Sequence, residues 1–206
     1  EIWRGWEGAA RVSVAVPLGA PLVVGRLYCF LPLGEEGKAP FAGYINANLY
    51  TKMDRRKVDA SIRLNDLFMR VAVWLSCQLI GFLVKSDWPQ AASAVVSLLC
   101  WDDAYVEALK HAMGDKGHGI FDRAFLPVRG PGDTITWASP KDTYAWIAPP
   151  DACLSPKSVC EVGGGRILTE SLTFNQRTDP DRLYLSLRHV DFKPPAGVVA
   201  DWVERV

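Results

Sequence analysis

Apolar and polar residues alternate along residues 9–18 (AARVSVAVPL), which puts Val12, Val14 and Val16 on one side. A period of two predicts a half-buried strand. Pro17 and the Gly19-Ala-Pro21 run end it. Residues 22–31 (LVVGRLYCFL) are a denser apolar run closed by Pro32, and predict a second strand. Residues 34–40 are polar and turn-rich. In residues 42–51 (AGYINANLYT), Tyr44, Asn46, Asn48 and Tyr50 fall on one face of a third strand. Ile45, Ala47 and Leu49 fall on the other, the face expected toward the core.

The period then changes. Leu64, Phe68, Val71, Leu75, Leu79 and Phe82 recur at three-to-four spacing and predict the buried stripe of a long helix. Asn65 and Asp66 suit its start, as caps or as partners of the dipole. Arg70, Ser76 and Gln78 interrupt the apolar run, so a core helix is expected rather than a membrane span. Asp87-Trp-Pro89 predicts the opening of a second helix through Ala91, Val95, Leu98 and Leu99. Asp102 is placed to cap a third, ending at Gly114. A glycine-rich loop (Gly114, Gly117, Gly119) follows. Residues 121–128 and 134–137 flank Gly130-Pro-Gly132-Asp133 as a hairpin. Ser139-Pro140 predicts a short helix through Trp146. Beyond it the pattern predicts a loop over 149–158, a break at Gly163-Gly-Gly165, a strand over 184–187 and a terminal helix. Residues 201–206 have the composition of a helical opening turn, so a segment of a longer protein is expected.

Strands, then a long helix, then helices and a hairpin predict an α+β fold in layers of sheet and helix. A boundary is expected near residues 86–88. It would separate an α/β unit over 1–87 from a mixed helical and β-hairpin region over 88–206.

Composition narrows the function. The chain has 206 residues, 23 Lys and Arg against 23 Asp and Glu, and 49% hydrophobic residues. It is too apolar and too weakly charged for disorder. Zero net charge gives no general attraction to nucleic acid or anionic membrane, so neither partner is expected. Five scattered Cys without a CxxC pair argue against a zinc site and for reduced thiols in a cytoplasm. Cys29, Cys77 and Cys100 are expected as small core residues.

Few residues carry chemistry. His111 and His118, with Asp115 between them, lack an identifiable third metal ligand. His189 and Asp191 share a strand face but have no evident nucleophile beside them. Gly163-Gly-Gly165-Arg166 lacks the Lys-Ser/Thr of a phosphate loop. No metal or cofactor site is therefore expected within the chain. Residues 52–57 differ: Lys52, Arg55, Arg56 and Lys57 surround one carboxylate, Asp54, between a strand and the long helix. Arg presents planar, permanently charged forks that match phosphate oxygens. Such a loop can neutralise charge developing during phosphoryl transfer. The plain alternative is a solvated loop in which Asp54 pairs with one Arg.

Several pieces resemble the sacsin and heat-shock-chaperone-like branch of the GHKL ATPases. These are Val24-Gly-Arg-Leu-Tyr28-Cys-Phe-Leu-Pro32, Ala39-Pro-Phe41 with the strand over 44–49, and Asp54-Arg55-Arg56 before a helix starting near Leu64-Asn65. Phe125-Leu-Pro127-Val128 and Thr136-Trp137-Ala-Ser139-Pro140 resemble the branch's Leu-Pro and Trp-x-Ser-Pro hairpin. The resemblance implies a ribosomal-protein-like second domain of a GHKL ATPase. Such a middle domain couples nucleotide state to client-binding parts. It implies that Arg55 or Arg56, with Lys52 as a further candidate, contacts the γ-phosphate of ATP bound with Mg by an N-terminal domain. The chain has no Asn-rich helix with a catalytic Glu, no Asp-x-Gly-x-Gly element and no glycine-rich lid. It is thus expected to be inactive by itself, with that ATPase domain and protein clients as partners. The competing expectation is a non-enzymatic interaction module using Trp3, Trp6, Trp88 and Trp101. A nucleic-acid binder through residues 52–57 and Arg63 is a third.

Overall fold

A computed structural model describes residues 9–18, 24–114, 122–129, 134–144 and 196–205, together with Ser158 and Glu161. The expectations at Trp3 and Trp6, His118, Asp115, His189, Asp191, the 163–165 break, the 149–158 loop and the 184–187 strand lie outside the described residues.

The class is mixed α and β. Strand β1 is Val12–Ala15, β2 is Arg26–Cys29, β3 is Leu31–Pro32 and β4 is Tyr44–Ala47. They form one sheet in the order β1-β4-β2-β3. β1 runs antiparallel to β4 (Val12 opposite Ala47), while β2 runs parallel to β4 (Leu27 opposite Ile45). The alternation expected in β4 is present: Ile45, Ala47 and Leu49 are buried and Asn46 is exposed. Only glycine fits where β2 starts. A Cβ on Gly25 would run into the carbonyl oxygens of Phe41 and Gly43.

The second expected strand is shorter than its apolar run. The chain reverses at Phe30, and Leu31–Pro32 folds back onto Tyr28 and Cys29 as β3. The reversal uses a positive φ of 63° at Phe30, without a glycine. Nothing in an apolar run marks such a residue, so periodicity alone extends the strand through it.

Helix α1 is Arg63–Leu83, α2 is Ala91–Leu99, α3 is Asp103–Met113 and α4 is Ala196–Arg205. Hairpin strands β5 (Leu126–Arg129) and β6 (Ile135–Ala138) pair antiparallel. α1 buries Leu64, Asn65, Phe68, Met69, Ala72, Val73, Ser76, Cys77, Ile80 and Leu83. The buried face is thus rotated from the expected stripe: Val71, Leu75 and Leu79 lie at its margin, and Phe82 is 56% exposed. The buried face meets three neighbours, α2, α3 and β1, and it includes the small residues Ala72, Ser76 and Cys77. Small side chains permit close packing of elements. The Ser76 hydroxyl donates to the Ala72 carbonyl (2.9 Å), so its burial leaves no unpaired donor. Burial pushes the Cys77 thiol up to about 12.

α1 is long and apolar enough to cross a membrane by length and composition alone. Here one side of it packs on α2, α3 and β1. α2 is buried at every position except Ser93 and lies against α1 and β5. Asp102 sits at the N-cap of α3, but the Tyr105 amide reaches its backbone carbonyl (2.9 Å) rather than its side chain. Gly114 ends that helix at φ −71°, so no left-handed cap is used. The helix expected after Ser139-Pro140 is a 3-10 turn, Pro140–Asp142, in which the Thr143 hydroxyl returns to the Ser139 carbonyl (2.8 Å).

The core lies between the sheet and the helices, and one cluster runs from Leu27 in β2 to Leu126 in β5. The boundary expected near residues 86–88 falls in the turn between α1 and α2, and this cluster is continuous across it. Phe41 and Trp101 join the two sides. Their rings stack 4.6 Å apart at 10°, with 0% and 1% of their surfaces exposed. Trp101 Nε1–H donates to the Leu98 carbonyl (2.9 Å), and the Asp102 amide donates to the Pro40 carbonyl (2.7 Å). Trp101→Ala should lower stability by about 4 kcal/mol in urea titrations. Trp74→Ala, at a 52% exposed position, should cost less than about 1 kcal/mol. Equal losses would place Trp101 outside the core.

Candidate functional site

Residues 52–57 form a closed loop whose base is clamped by one buried side chain. Thr51 bridges Val58, and the Lys52 amide donates to the Lys57 carbonyl (3.1 Å). Below that bridge, Asn65 receives the Tyr50 amide on Oδ1 (2.8 Å). Its Nδ2 donates to the Tyr50 carbonyl (2.8 Å) and to the Asp59 carbonyl (2.8 Å). The Asp59 amide donates to the Tyr50 carbonyl (2.9 Å). Asn65 therefore ties both legs of the loop to the first turn of α1. It is 3% exposed, and its role is a clamp rather than the expected helix cap, which falls at Ile62.

Inside the loop each charged group has a distinct position. Asp54 Oδ1 accepts the Arg56 amide (3.1 Å), an Asx turn, instead of pairing with a guanidinium. Arg55 adopts a positive φ of 54°, and its Nη2 reaches the Cys29 carbonyl (3.4 Å). The Arg55 carbonyl accepts the Gly34 amide (3.4 Å). The Arg56 stem lies over Gly34, where a Cβ would stand 3.3 Å from its Cα and Cγ. Lys57 pairs with Glu36 (2.8 Å), which raises the Lys57 pKa through the hydrogen bond and the charge. Asp59 is held below the usual carboxylate range by hydrogen bonds from Ser61, with Lys52 adding a smaller attraction.

Of the three candidate residues, Arg55 is partly engaged with backbone. Lys52 and Arg56 make no side-chain hydrogen bond or ion pair among the described residues. All three are exposed. The arrangement offers two cations without an ion pair among the described residues, on a braced loop that can meet an anion. Among the described residues, no group of three His, Cys, Asp or Glu is placed to hold a metal ion. His111 is exposed in the last turn of α3.

Sequence reasoning missed three contributors: Asn65 as clamp, Glu36 as partner of Lys57, and Gly34 as floor under Arg56. A signal existed for the first. Asn65 falls between Leu64 and Phe68 on the apolar side of the helix, where a polar side chain has to find partners. Of the Trp expected at an interaction surface, Trp88 is 48% exposed but Trp101 belongs to the core. Tests against family models, curated proteins and solved structures match none of them.

Removing the clamp takes the side-chain partner from the Tyr50 amide and from the Asp59 carbonyl, and leaves the Tyr50 carbonyl with the Asp59 amide. Asn65→Ala should therefore cost about 3 kcal/mol. It should also speed tryptic cleavage after Lys52, Arg55 and Arg56. Unchanged cleavage kinetics would show that the loop is braced by other contacts.

Proposed function

We propose that the chain is a coupling domain of a larger, chaperone-like GHKL ATPase, sensing the γ-phosphate through the loop of residues 52–57. The resemblance of residues 24–84 and 125–140 supports the family. The observation that carries the role is the braced loop with Arg56 and Lys52 in no ion pair among the described residues. A preformed loop loses little conformational entropy when it meets phosphate. Arg56 is the leading contact. Arg55 would have to leave the Cys29 carbonyl, so its part is to set the turn. The finer architecture, a two-layer second domain followed by a smaller helical and hairpin region, belongs to this same reading. So do ATP and Mg held by a partner ATPase domain, and a cytoplasmic setting.

An Arg that touches ATP but not product favours one domain arrangement over another, and only such a difference shifts their populations. A second reading, a non-enzymatic interaction module, is favoured by the outer side of α1. Leu67, Trp74 and Phe82 are exposed there, and Trp88 meets Phe82 edge-to-face at 5.7 Å. Exposed Trp and Phe of this kind make hot spots.

In the ATPase that carries this domain, Arg56→Ala together with Arg55→Ala should slow turnover by about 10³-fold while ATP binding persists. Normal turnover in the double variant would sink the assignment. If Trp74→Lys instead abolishes partner binding with turnover intact, the interaction-module reading stands.

A further inference from the structure

The face of the sheet turned away from the helices carries features that the coupling role does not use. A groove of about 440 Å³ opens on it, lined by Arg11, Ser13, Phe30, Asn46 and Asn48 among others. Phe30 is 79% exposed and is held there by backbone, not by packing. Its positive φ turns the chain, and its amide donates to Asn46 Oδ1 (3.3 Å). Asn48 Oδ1 accepts the Arg11 amide (3.1 Å). Both amide groups thus spend their oxygens on backbone. Their Nδ2 donors bond to nothing among the described residues.

The pairing register extends this surface across the sheet. Ser13, Asn46 and Tyr28 lie side by side, and so do Ala15, Tyr44 and Arg26. Tyr28 and Tyr44 are half-buried and meet edge-to-face at 5.9 Å. Among the described residues, no Asp or Glu lines the groove. Four cations elsewhere sit in ion pairs: Lys57 with Glu36, Arg70 with Asp66, Lys110 with Glu107 and Lys141 with Asp122. Among the described residues, Arg11 and Arg26 have no such partner. The chain is neutral in total, yet Arg11 and Arg26 place two guanidinium groups on this one face.

A surface of N–H donors, guanidinium groups and the open Phe30 ring fits a ligand that is anionic, rich in acceptors and flat. We infer that this groove binds single-stranded nucleic acid, with Phe30 stacking on a base, Asn46 and Asn48 donating to base or sugar acceptors, and Arg11 and Arg26 meeting phosphates. Stacking needs a base freed from its neighbours, so a duplex fits poorly. An acidic peptide would satisfy the cations but leave the Phe30 ring without a flat partner.

The test is fluorescence anisotropy of labelled oligothymidylate and oligouridylate of about 15 nucleotides with the full chain, at about 50 and 200 mM salt. Saturable binding that weakens with salt is expected for one or both. Phe30→Ala should weaken it about tenfold, and Phe30→Tyr should retain it. Arg11→Ala should reduce the log–log salt slope by about 0.7. Arg56→Ala should leave affinity within a few-fold, which separates this groove from the phosphate-sensing loop. Circular dichroism of each variant checks folding, and Phe30→Tyr keeps the test valid if Phe30→Ala unfolds. The inference is overturned by absence of saturable binding at the lower salt, or by binding indifferent to Phe30→Ala in a folded variant. Equal competition by duplex or polyglutamate, or loss only in Arg56→Ala, would overturn it too.

Discussion

One buried amide side chain decides whether the basic loop exists as a defined object. Asn65 uses its oxygen and both reaches of its nitrogen on backbone groups of Tyr50 and Asp59. Those residues are the two points where the loop leaves the folded body. A closed polar site of this kind has little tolerance: each bond gains little over water, but each group left unpaired in a dry place is costly. The loop's geometry is therefore inherited from α1.

The second constraint is the stack of Phe41 on Trp101. It joins the segment leading into β4 to the turn between α2 and α3. With the Asp102 amide on Pro40, it makes the helices after α1 part of the sheet's own core. The basic loop and the outer sheet face thus rest on one continuous interior. Cys29 connects them at the surface: its carbonyl meets Arg55, and the next residue is Phe30. Both Arg55 and Phe30 hold positive φ, a conformation that costs bulky residues roughly 1 kcal/mol or more each.

Much of this was legible in the sequence. The alternation of Ile45, Ala47 and Leu49 located a strand and its inner face correctly, because period two has no other simple solution. α1, α2 and α3 were expected within a few residues of where they lie. The buried side of α1 was not legible. It is set by packing against α2, α3 and β1 together, and it takes in small Ala72, Ser76 and Cys77 beside large Phe68, Ile80 and Leu83. The reversal at Phe30 was hidden because no glycine or proline marks it. In the loop, the charge excess was visible but its partners were not. Glu36 comes from a separate turn, and Asp54 accepts the nearby Arg56 amide instead of a guanidinium. The outer sheet face was visible as a polar stripe in β4, but only strand pairing brings Arg11, Arg26 and Phe30 beside it.

α2 has a consequence of a different kind. Ala-Ala-Ser-Ala-Val-Val-Ser-Leu-Leu contains no charge and no proline, and Ser93 alone escapes full burial. It has no wet side to keep it soluble once its neighbours leave. Any partial opening that lifts the 126–138 hairpin away would expose a short, neutral, apolar segment of the sort that self-associates. The hairpin is thus a cover as well as an element of the fold. Damage to it would surface first as loss of soluble protein rather than as reversible unfolding.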